Sequence, residues 1–208
     1  IRSTVVIFGG ARIPEPGAAP ERAATDEIAY RLRQNARYYD AARAFARLSS
    51  EASLAAGGCE FVVVSGGGPG IMEAANRGAA DVGAHSVGLS IVLPHEQLPN
   101  RFVTPELCFQ FHYFAIRKMH FLMRAKALAY FAGGFGTLDE LFEALCLIQT
   151  GKIDRVPILL FGREFWRRVL NLDALVDEGT ISPEDLELFT YVESAEEGWR
   201  EIAEFYGL

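Results

Sequence analysis

Five short apolar runs recur along the chain, and segments with a helical period separate them. The runs are Thr4 to Phe8, Phe61 to Val64, Ser86 to Val92, Ala127 to Phe131 and Val156 to Phe161. Short runs that are apolar at successive positions are typical of strands buried on both faces of a parallel sheet. Strands that alternate with helices predict an α/β fold with a doubly wound parallel sheet.

The segments between these runs predict amphipathic helices. Two lie near Ala23 to Gln34 and Tyr38 to Ala56, after a Pro- and Ala-rich loop from Pro14 to Pro20. This loop is either a lid or a plain surface connection, because most loops only join elements. The tail from Phe165 to Tyr206 predicts helices that close the fold. We therefore expect residues 1–208 to form a single Rossmann-like domain with C-terminal helices.

Two further helices are identified by the period of their apolar residues. One has the stripe Leu138, Leu141, Phe142, Leu145 and Ile148. The other has the stripe Ala115, Ile116, Met119, Leu122 and Met123. On this second helix, Arg117, His120 and Arg124 are three and four residues apart, so they share the opposite face.

The composition is that of an ordinary folded protein. Half of the 208 residues are hydrophobic, which is enough for a core that needs no disulfide or metal. The net charge of −7 argues against nucleic-acid binding, which requires an excess of Lys and Arg. Only three residues are lysine, so nearly all cationic groups are guanidinium groups, which suit phosphate or carboxylate contacts.

The three cysteines are widely spaced and lie among apolar residues: Cys59, Cys108 and Cys146. An odd number without a CxxC pair favours reduced thiols in the core of a cytoplasmic protein. No apolar stretch is long enough to cross a bilayer, and no basic-then-apolar leader precedes the first strand. The histidines lack the spacing of metal ligands, so we expect no metal site.

The segment Gly133-Gly134-Phe135-Gly136-Thr137 is the best clue to function. It follows a predicted strand and leads into the helix that begins with Leu138, Asp139 and Glu140. Glycines let backbone amides approach an anion closely, and the free amides and dipole at a helix start favour a phosphate. The alternative is a capping box, in which the Thr137 hydroxyl and the Glu140 carboxylate satisfy those amides. Capping does not explain the three glycines.

Three glycine turns each follow a predicted parallel strand: Gly9-Gly10, Gly66 to Gly70 and Gly133 to Gly136. The carboxyl ends of all strands lie on one edge of a doubly wound sheet, so these turns converge. Gly9-Gly10-Ala11 does not match a nicotinamide fingerprint, and Gly151-Lys152 does not match a P-loop. The predicted phosphate site is therefore of neither standard type.

Three motifs together closely resemble one known family. They are Gly133 to Glu140, the Arg117-Lys118 pair upstream, and Gly66 to Ala74. The family is the lonely-guy family of nucleoside 5′-monophosphate phosphoribohydrolases, many members of which have been called lysine decarboxylases. The segments Phe111 to Phe114 and Leu93 to Gln97 look more like the branch that contains bacterial nucleotide nucleosidases than the plant cytokinin-activating branch.

The resemblance implies hydrolysis of the N-glycosidic bond of a nucleoside monophosphate, either AMP-like or a cytokinin riboside monophosphate. In the family, the residues that match Arg117 and Glu140 carry the catalysis. Those that match Glu96, Lys118 and the loop from Gly133 to Asp139 contact the nucleotide. The family uses no cofactor for this reaction and is usually a homodimer or a higher homo-oligomer.

Each of these residues also has a plainer interpretation. Arg117 is explained by a solvated helix face, and Glu73 by a helix start, where a carboxylate is favourable for dipole reasons alone. Glu73 is thus a weaker candidate for substrate binding. Two other functions remain open: a non-catalytic nucleotide or molybdenum-cofactor carrier, and a pyridoxal phosphate decarboxylase in which Lys118 forms the Schiff base.

Overall fold

The computed structural model describes residues 1–20, 23–92 and 98–208. In these ranges the strands are β1 (Thr4–Phe8), β2 (Val62–Ser65), β3 (Ser86–Ile91), β4 (Cys108–Phe111), β5 (Ala125–Tyr130), β6 (Ile158–Phe161) and β7 (Thr190–Val192). They form one sheet in the order β4-β3-β2-β1-β5-β6-β7, and every neighbouring pair is parallel. The predicted doubly wound α/β fold is confirmed.

Helices connect these strands and cover both faces of the sheet. They are α1 (Asp26–Asn35), α2 (Arg37–Ala55), α3 (Ile71–Ala80), α4 (Phe114–Leu122), α5 (Phe135–Gln149), α6 (Arg163–Val169), α7 (Asp173–Asp177) and α8 (Ala195–Tyr206). Two short 3₁₀ turns, Pro105–Leu107 and Pro183–Leu188, precede β4 and β7. No helix in the described ranges is long and apolar enough to cross a membrane.

The sequence prediction missed the two edge strands. The five predicted strands are confirmed with small shifts at their ends, but the tail is not purely helical, because β7 pairs with β6. Edge strands such as β4 and β7 are short and are only partly buried. They therefore lack the continuous apolar run that identifies an interior strand.

The core lies on both faces of the sheet, and alternate residues of β1 contribute to each side. Val5 and Ile7 pack with the cluster under α2, α3 and α8, whereas Val6 and Phe8 pack with the cluster under α4, α5 and α6. Trp166 belongs to this second cluster and is 1% exposed.

The cysteines correct one expectation. All three are free, but Cys146 is exposed and Cys59 and Cys108 are only partly buried, so they are not core thiols. Trp199 is partly buried and packs edge-on against Phe61, with the ring centres 5.7 Å apart.

The strand order reverses direction between β1 and β5. From β1 the chain winds outward through β2, β3 and β4, and from β5 it winds outward on the other side. In open parallel sheets, ligands bind in the crevice beyond the carboxyl ends of the strands at such a switch point. The turns after β1, β2 and β5 border this crevice.

One glycine governs the packing of α3 on α2. A Cβ at Gly78 would overlap the carbonyl oxygen of Arg43 and lie 2.8 Å from the Cβ of Ala46. We expect Gly78→Ala to lower the free energy of unfolding by about 1 to 2 kcal/mol in urea denaturation, because overpacking outweighs the gain in helix propensity. Ala80→Ser, at an exposed position of the same helix, is the control. Unchanged stability of the Gly78 variant would contradict this account.

Candidate active site

A cavity of about 760 Å³ opens at the switch point of the sheet. All three glycine turns line it, as the sequence predicted, together with residues of the Pro14 to Pro20 loop. This loop is therefore a wall of the cavity rather than a plain surface connection. The cavity has the size and position expected of a small-molecule site.

The three turns touch each other through their backbones. The amide of Gly10 donates to the carbonyl of Ala132 at 2.9 Å, and the amide of Ile71 donates to the carbonyl of Gly10 at 3.2 Å. A Cβ at Gly70 would overlap the Gly10 carbonyl, and one at Gly10 would lie 3.1 Å from the Ala132 oxygen. The turn after β1 thus sits between the other two, and glycine is required for this approach.

The start of α5 offers free amides to the cavity. Helix α5 begins at Phe135 after the N-cap residue Gly134, and no side chain caps it. The capping-box alternative is therefore wrong, since Thr137 lies inside the first turn rather than at the N-cap. First-turn amides have no partner within their helix, and Gly134, Gly136 and Thr137 line the cavity. This is the arrangement that favours an anion.

The other residues of the predicted loop have different surroundings. Gly133 packs against Thr137, because a Cβ at Gly133 would overlap the Thr137 side chain. Phe135 is 93% exposed, and Leu138 packs against the core. Asp139 lines the cavity.

Glu140 is a buried carboxyl group on the cavity wall. It is 7% exposed, and burial raises its pKa from 4.5 to about 7, against the opposing effect of the Lys118 and Arg117 charges. Gly136 and Glu140 are four residues apart on one helix, so they lie on the same face about 6 Å apart along the axis. The carboxyl group and the free amides of α5 therefore face one space.

Arg117 reaches the same cavity from α4. Its Nε donates to the carbonyl of Leu89 at 2.7 Å, and its guanidinium lies 5.1 Å from the centre of the Phe121 ring. A Cβ at Gly66 would lie 2.6 Å from Nη2 of Arg117. The guanidinium is therefore fixed against the glycine turn after β2, and its plain interpretation as a solvated helix residue is wrong.

Lys118 ties α4 to α5 instead of lining the cavity. Its Nζ lies 2.8 Å from Oδ2 of Asp139 and 2.8 Å from Oε2 of Glu143. These two acids flank Glu140 in the sequence, and the ammonium charge also acts on Glu140 itself. The side chain of Lys118 is thus engaged by protein carboxylates, next to the candidate acid.

Helix α4 presents its apolar stripe to solvent. Ile116, Met119 and Met123 are about half exposed, whereas Arg117 and Lys118 turn towards the protein. His120 and Arg124 are exposed, and Arg124 lies beyond the end of the helix. The cationic face predicted for this helix is therefore divided, and only Arg117 reaches the cavity.

A buried polar network, which the sequence analysis missed, holds the turn after β2. The carboxamide oxygen of Asn76 accepts from the Ser65 hydroxyl at 2.7 Å and from Asn100 Nδ2 at 2.9 Å. The same Asn100 nitrogen donates to the carbonyl of Gly68 at 2.9 Å, and the Ser65 hydroxyl accepts from the amide of Gly67 at 3.0 Å. The turn is thereby fixed from beneath.

Two predicted carboxylates remain. Glu73 lies in the first turn of α3, lines the cavity, and accepts a hydrogen bond from Tyr39 at 3.0 Å. Tyr39 was not identified from the sequence, because it lies in a different helix and no motif marks it. Glu96 lies outside the described residues.

A family model and several sequence relatives match this chain. The family model described as "Possible lysine decarboxylase" matches residues 72–202. One cytokinin riboside 5′-monophosphate phosphoribohydrolase of Arabidopsis thaliana is 29% identical over 69% of this chain and 67% of that protein. A second from the same plant is 31% identical over 69% of this chain and 66% of its own length. The chain thus spans about two thirds of these relatives.

Solved structures with the same fold share much less sequence. The molybdenum cofactor binding protein of Rippkaea orientalis has a TM-score of 0.63 and 15% identity, over 99% of this chain and 98% of that one. The Moco carrier protein of Chlamydomonas reinhardtii has a TM-score of 0.59 and 15% identity, over 100% and 99%. At this identity the similarity establishes the fold alone.

The raised pKa of Glu140 predicts a pH dependence of stability. The folded protein holds this proton more tightly than the unfolded chain, so the contribution is full below pH 4.5 and is lost as the pH rises through about 7. The free energy of unfolding of the wild type, relative to Glu140→Gln, should fall by up to about 3 kcal/mol over this range. Urea denaturation at several pH values measures it. A constant difference would contradict the assignment.

Proposed function

Because the chain belongs to the lonely-guy family, we propose that it hydrolyses the N-glycosidic bond of nucleoside 5′-monophosphates. The oxygen of water bonds to C1′, the bond from C1′ to the base nitrogen breaks, and the products are the free base and ribose 5-phosphate. The protein is then an N-glycosidase that needs no cofactor.

The observation that carries this proposal is the combination of groups around one cavity. Gly134, Gly136 and Thr137 at the start of α5 line the cavity, and so do the carboxyl group of Glu140 and the guanidinium of Arg117. The first-turn amides bind the 5′-phosphate. Glu140, one helical turn further along the same face, then lies beside the anomeric carbon of the bound ribose.

Each group has a task that suits the reaction. As the bond to the base breaks, positive charge develops on the ribose, and the carboxylate of Glu140 stabilises it or accepts a proton from the attacking water. Phosphate binding supplies remote binding energy that orients C1′ at this carboxylate. Arg117 holds oxygens of the phosphate or the ribose, or polarises the departing base.

Lys118 and Asp139 are assigned supporting roles. The ammonium of Lys118 is already paired with Asp139 and Glu143, so it fixes α5 against α4 and keeps positive charge near Glu140. This differs from the direct nucleotide contact that the family resemblance implies. The contribution of Lys118 to catalysis is then through the position and charge of Glu140.

The base is the least defined part of the substrate. The relatives are named for their action on cytokinin riboside 5′-monophosphates. The cavity volume of about 760 Å³ accommodates either kind of nucleotide. Both AMP-like and cytokinin-like substrates are therefore part of the proposal, and the bacterial-branch assignment stays a prediction.

The two competing functions account for fewer of these features. A decarboxylase needs a neutral lysine to form a Schiff base, yet Lys118 is held between two carboxylates, which raise its pKa against the effect of burial. A nucleotide or molybdenum-cofactor carrier needs the anion site but has no need of a buried acid beside it. The fold similarity to carrier proteins does not distinguish carrying from hydrolysis.

The outer face of α4 supports association with a second copy of this chain. Ile116, Met119 and Met123 are all about half exposed, although large apolar side chains in contiguous groups are unusual on a monomer. The inner face of the same helix carries Arg117. A homodimer through α4 therefore buries these side chains at an interface close to the cavity. The proposed compartment is the cytoplasm, where the cysteines stay reduced.

Hydrolysis predicts base release that depends on two side chains. Purified wild-type protein incubated with AMP should liberate adenine, measured by chromatography. Glu140→Gln and Arg117→Ala should each lower kcat/KM by about 100-fold or more, because each removes charge stabilisation from the transition state.

The matched controls for these variants are Glu204→Gln and Arg200→Ala, an exposed pair on α8. Both should leave the rate unchanged. Unaltered release in the Glu140 and Arg117 variants would refute the assignment of these residues. AMP bound by the wild type without release of adenine, or of the base of any nucleoside monophosphate tested, would support the carrier function instead.

Association through α4 predicts a change of mass. Wild-type protein should sediment as a dimer or larger species, and the double variant Ile116→Asp, Met119→Asp should sediment as a monomer, because charges at these positions cannot be buried without a partner. Val169→Asp, on the exposed side of α6, is the control. A monomeric wild type would contradict this interface.

A further inference from the structure

Glu73 is a carboxylate on the cavity wall that the reaction described above does not use. Glu73 lies in α3, which packs on the sheet face covered by α2, whereas Glu140 lies in α5 on the other face. The turn after β1 separates the two helix starts, because Gly10 contacts Gly70 on one side and Gly133 on the other. The two acids therefore line the cavity from opposite walls.

A buried tyrosine fixes the position of Glu73. The hydroxyl of Tyr39 donates to Oε1 of Glu73 at 3.0 Å, and Tyr39 is only 2% exposed. Nη1 of Arg77 donates in turn to the Tyr39 oxygen at 3.4 Å. Burial raises the pKa of Tyr39, and the nearby Glu73 carboxylate acts in the same direction, so the hydroxyl keeps the proton that it donates.

The expected partner of Glu73 is engaged elsewhere. Arg77 follows Glu73 by four residues in α3, a spacing at which such pairs usually interact. However, Nη1 of Arg77 lies 2.8 Å from Oε1 of Glu15, and its guanidinium lies 5.4 Å from the Phe102 ring centre. Among the ion pairs of the described ranges, none includes Glu73. Its carboxylate therefore keeps acceptor capacity for a ligand in the cavity.

The helix dipole alone does not account for this arrangement. A favourable dipole explains why an acid is tolerated in the first turn of α3. It does not explain why Tyr39, a buried tyrosine in another helix, donates its one O–H group to the Glu73 carboxylate. A hydrogen bond that fixes one carboxylate oxygen in a cavity is instead typical of a preorganised recognition group.

We propose that Glu73, held by Tyr39, is a second recognition subsite that accepts hydrogen bonds from donor groups of the bound nucleotide. This inference rests on the proposed function and extends it. A nucleoside monophosphate anchored on α5 by its phosphate carries two kinds of donor: the ribose hydroxyls and the amino group of the base. Glu73 takes one of these, and Tyr39 is a positioning residue that acts through Glu73.

The experiment compares AMP with two analogues, one without the 2′-hydroxyl (2′-deoxy-AMP) and one without the 6-amino group (purine riboside 5′-monophosphate). The KM for base release is measured with the wild type, Glu73→Gln and Tyr39→Phe. We expect Glu73→Gln to raise the KM for AMP about tenfold, with a smaller change in kcat, since a charge-assisted hydrogen bond is lost. Tyr39→Phe should act in the same direction but less strongly.

The analogues identify the donor. The wild type should bind one of them about tenfold more weakly than AMP, and Glu73→Gln should abolish that difference. If 2′-deoxy-AMP binds more weakly, the group that donates to Glu73 is the 2′-hydroxyl of the ribose. If purine riboside 5′-monophosphate binds more weakly, it is the 6-amino group of the base. Glu27→Gln, also in the first turn of a helix, and Tyr30→Phe, an exposed tyrosine, are the controls.

The outcomes separate this inference from the proposed function. If the Glu73 and Tyr39 variants both release base and show the same ratios of KM between AMP and the two analogues as the wild type, the subsite is refuted and hydrolysis stands. If the wild type releases no base, titration calorimetry with the same ligands replaces KM by Kd. A tenfold loss of AMP affinity in Glu73→Gln then supports the subsite without hydrolysis, and equal affinities, or no binding to the wild type, refute it.

Discussion

The candidate site depends on the direct contact of three main-chain turns. Gly10 lies between the turns after β2 and β5, and hydrogen bonds join its backbone to Ala132 and Ile71. With any side chain at these positions the turns would have to separate, and the helix starts of α3 and α5 would move apart. The glycines of these turns thus allow the close approach that brings the charged groups to one cavity. The parallel sheet places the three turns side by side.

The sequence was sufficient for the interior of the fold because burial on both faces leaves a strong pattern. Strand β1 is fully buried, and its run of apolar residues is unbroken. Strands β4 and β7 lie at the edges, where one side meets solvent or a loop, and their short sequences carry no comparable pattern. Their existence depends on pairing with a neighbour that is distant in the chain, which a local pattern does not encode.

The site was predicted in part, for a similar reason. The glycine turns and Glu140 follow strands in sequence, so topology alone brings them to one edge. The partners of these groups come from elsewhere: Tyr39 for Glu73, Asn100 for the turn after β2, and Asp139 with Glu143 for Lys118. Helix α4 was also misleading, because its apolar stripe faces outward and Arg117 and Lys118 face inward, the reverse of an ordinary surface helix.

The contact between Arg117 and Gly66 has a consequence for how this protein tolerates change. The guanidinium occupies the space that a methyl group at position 66 would need. The nearest atom to that methyl group is at the end of the long, flexible Arg117 side chain. The protein can therefore still fold with a methyl group at position 66 if the arginine adopts another rotamer. A substitution at position 66 is therefore expected to displace the Arg117 guanidinium from the cavity while leaving the fold intact.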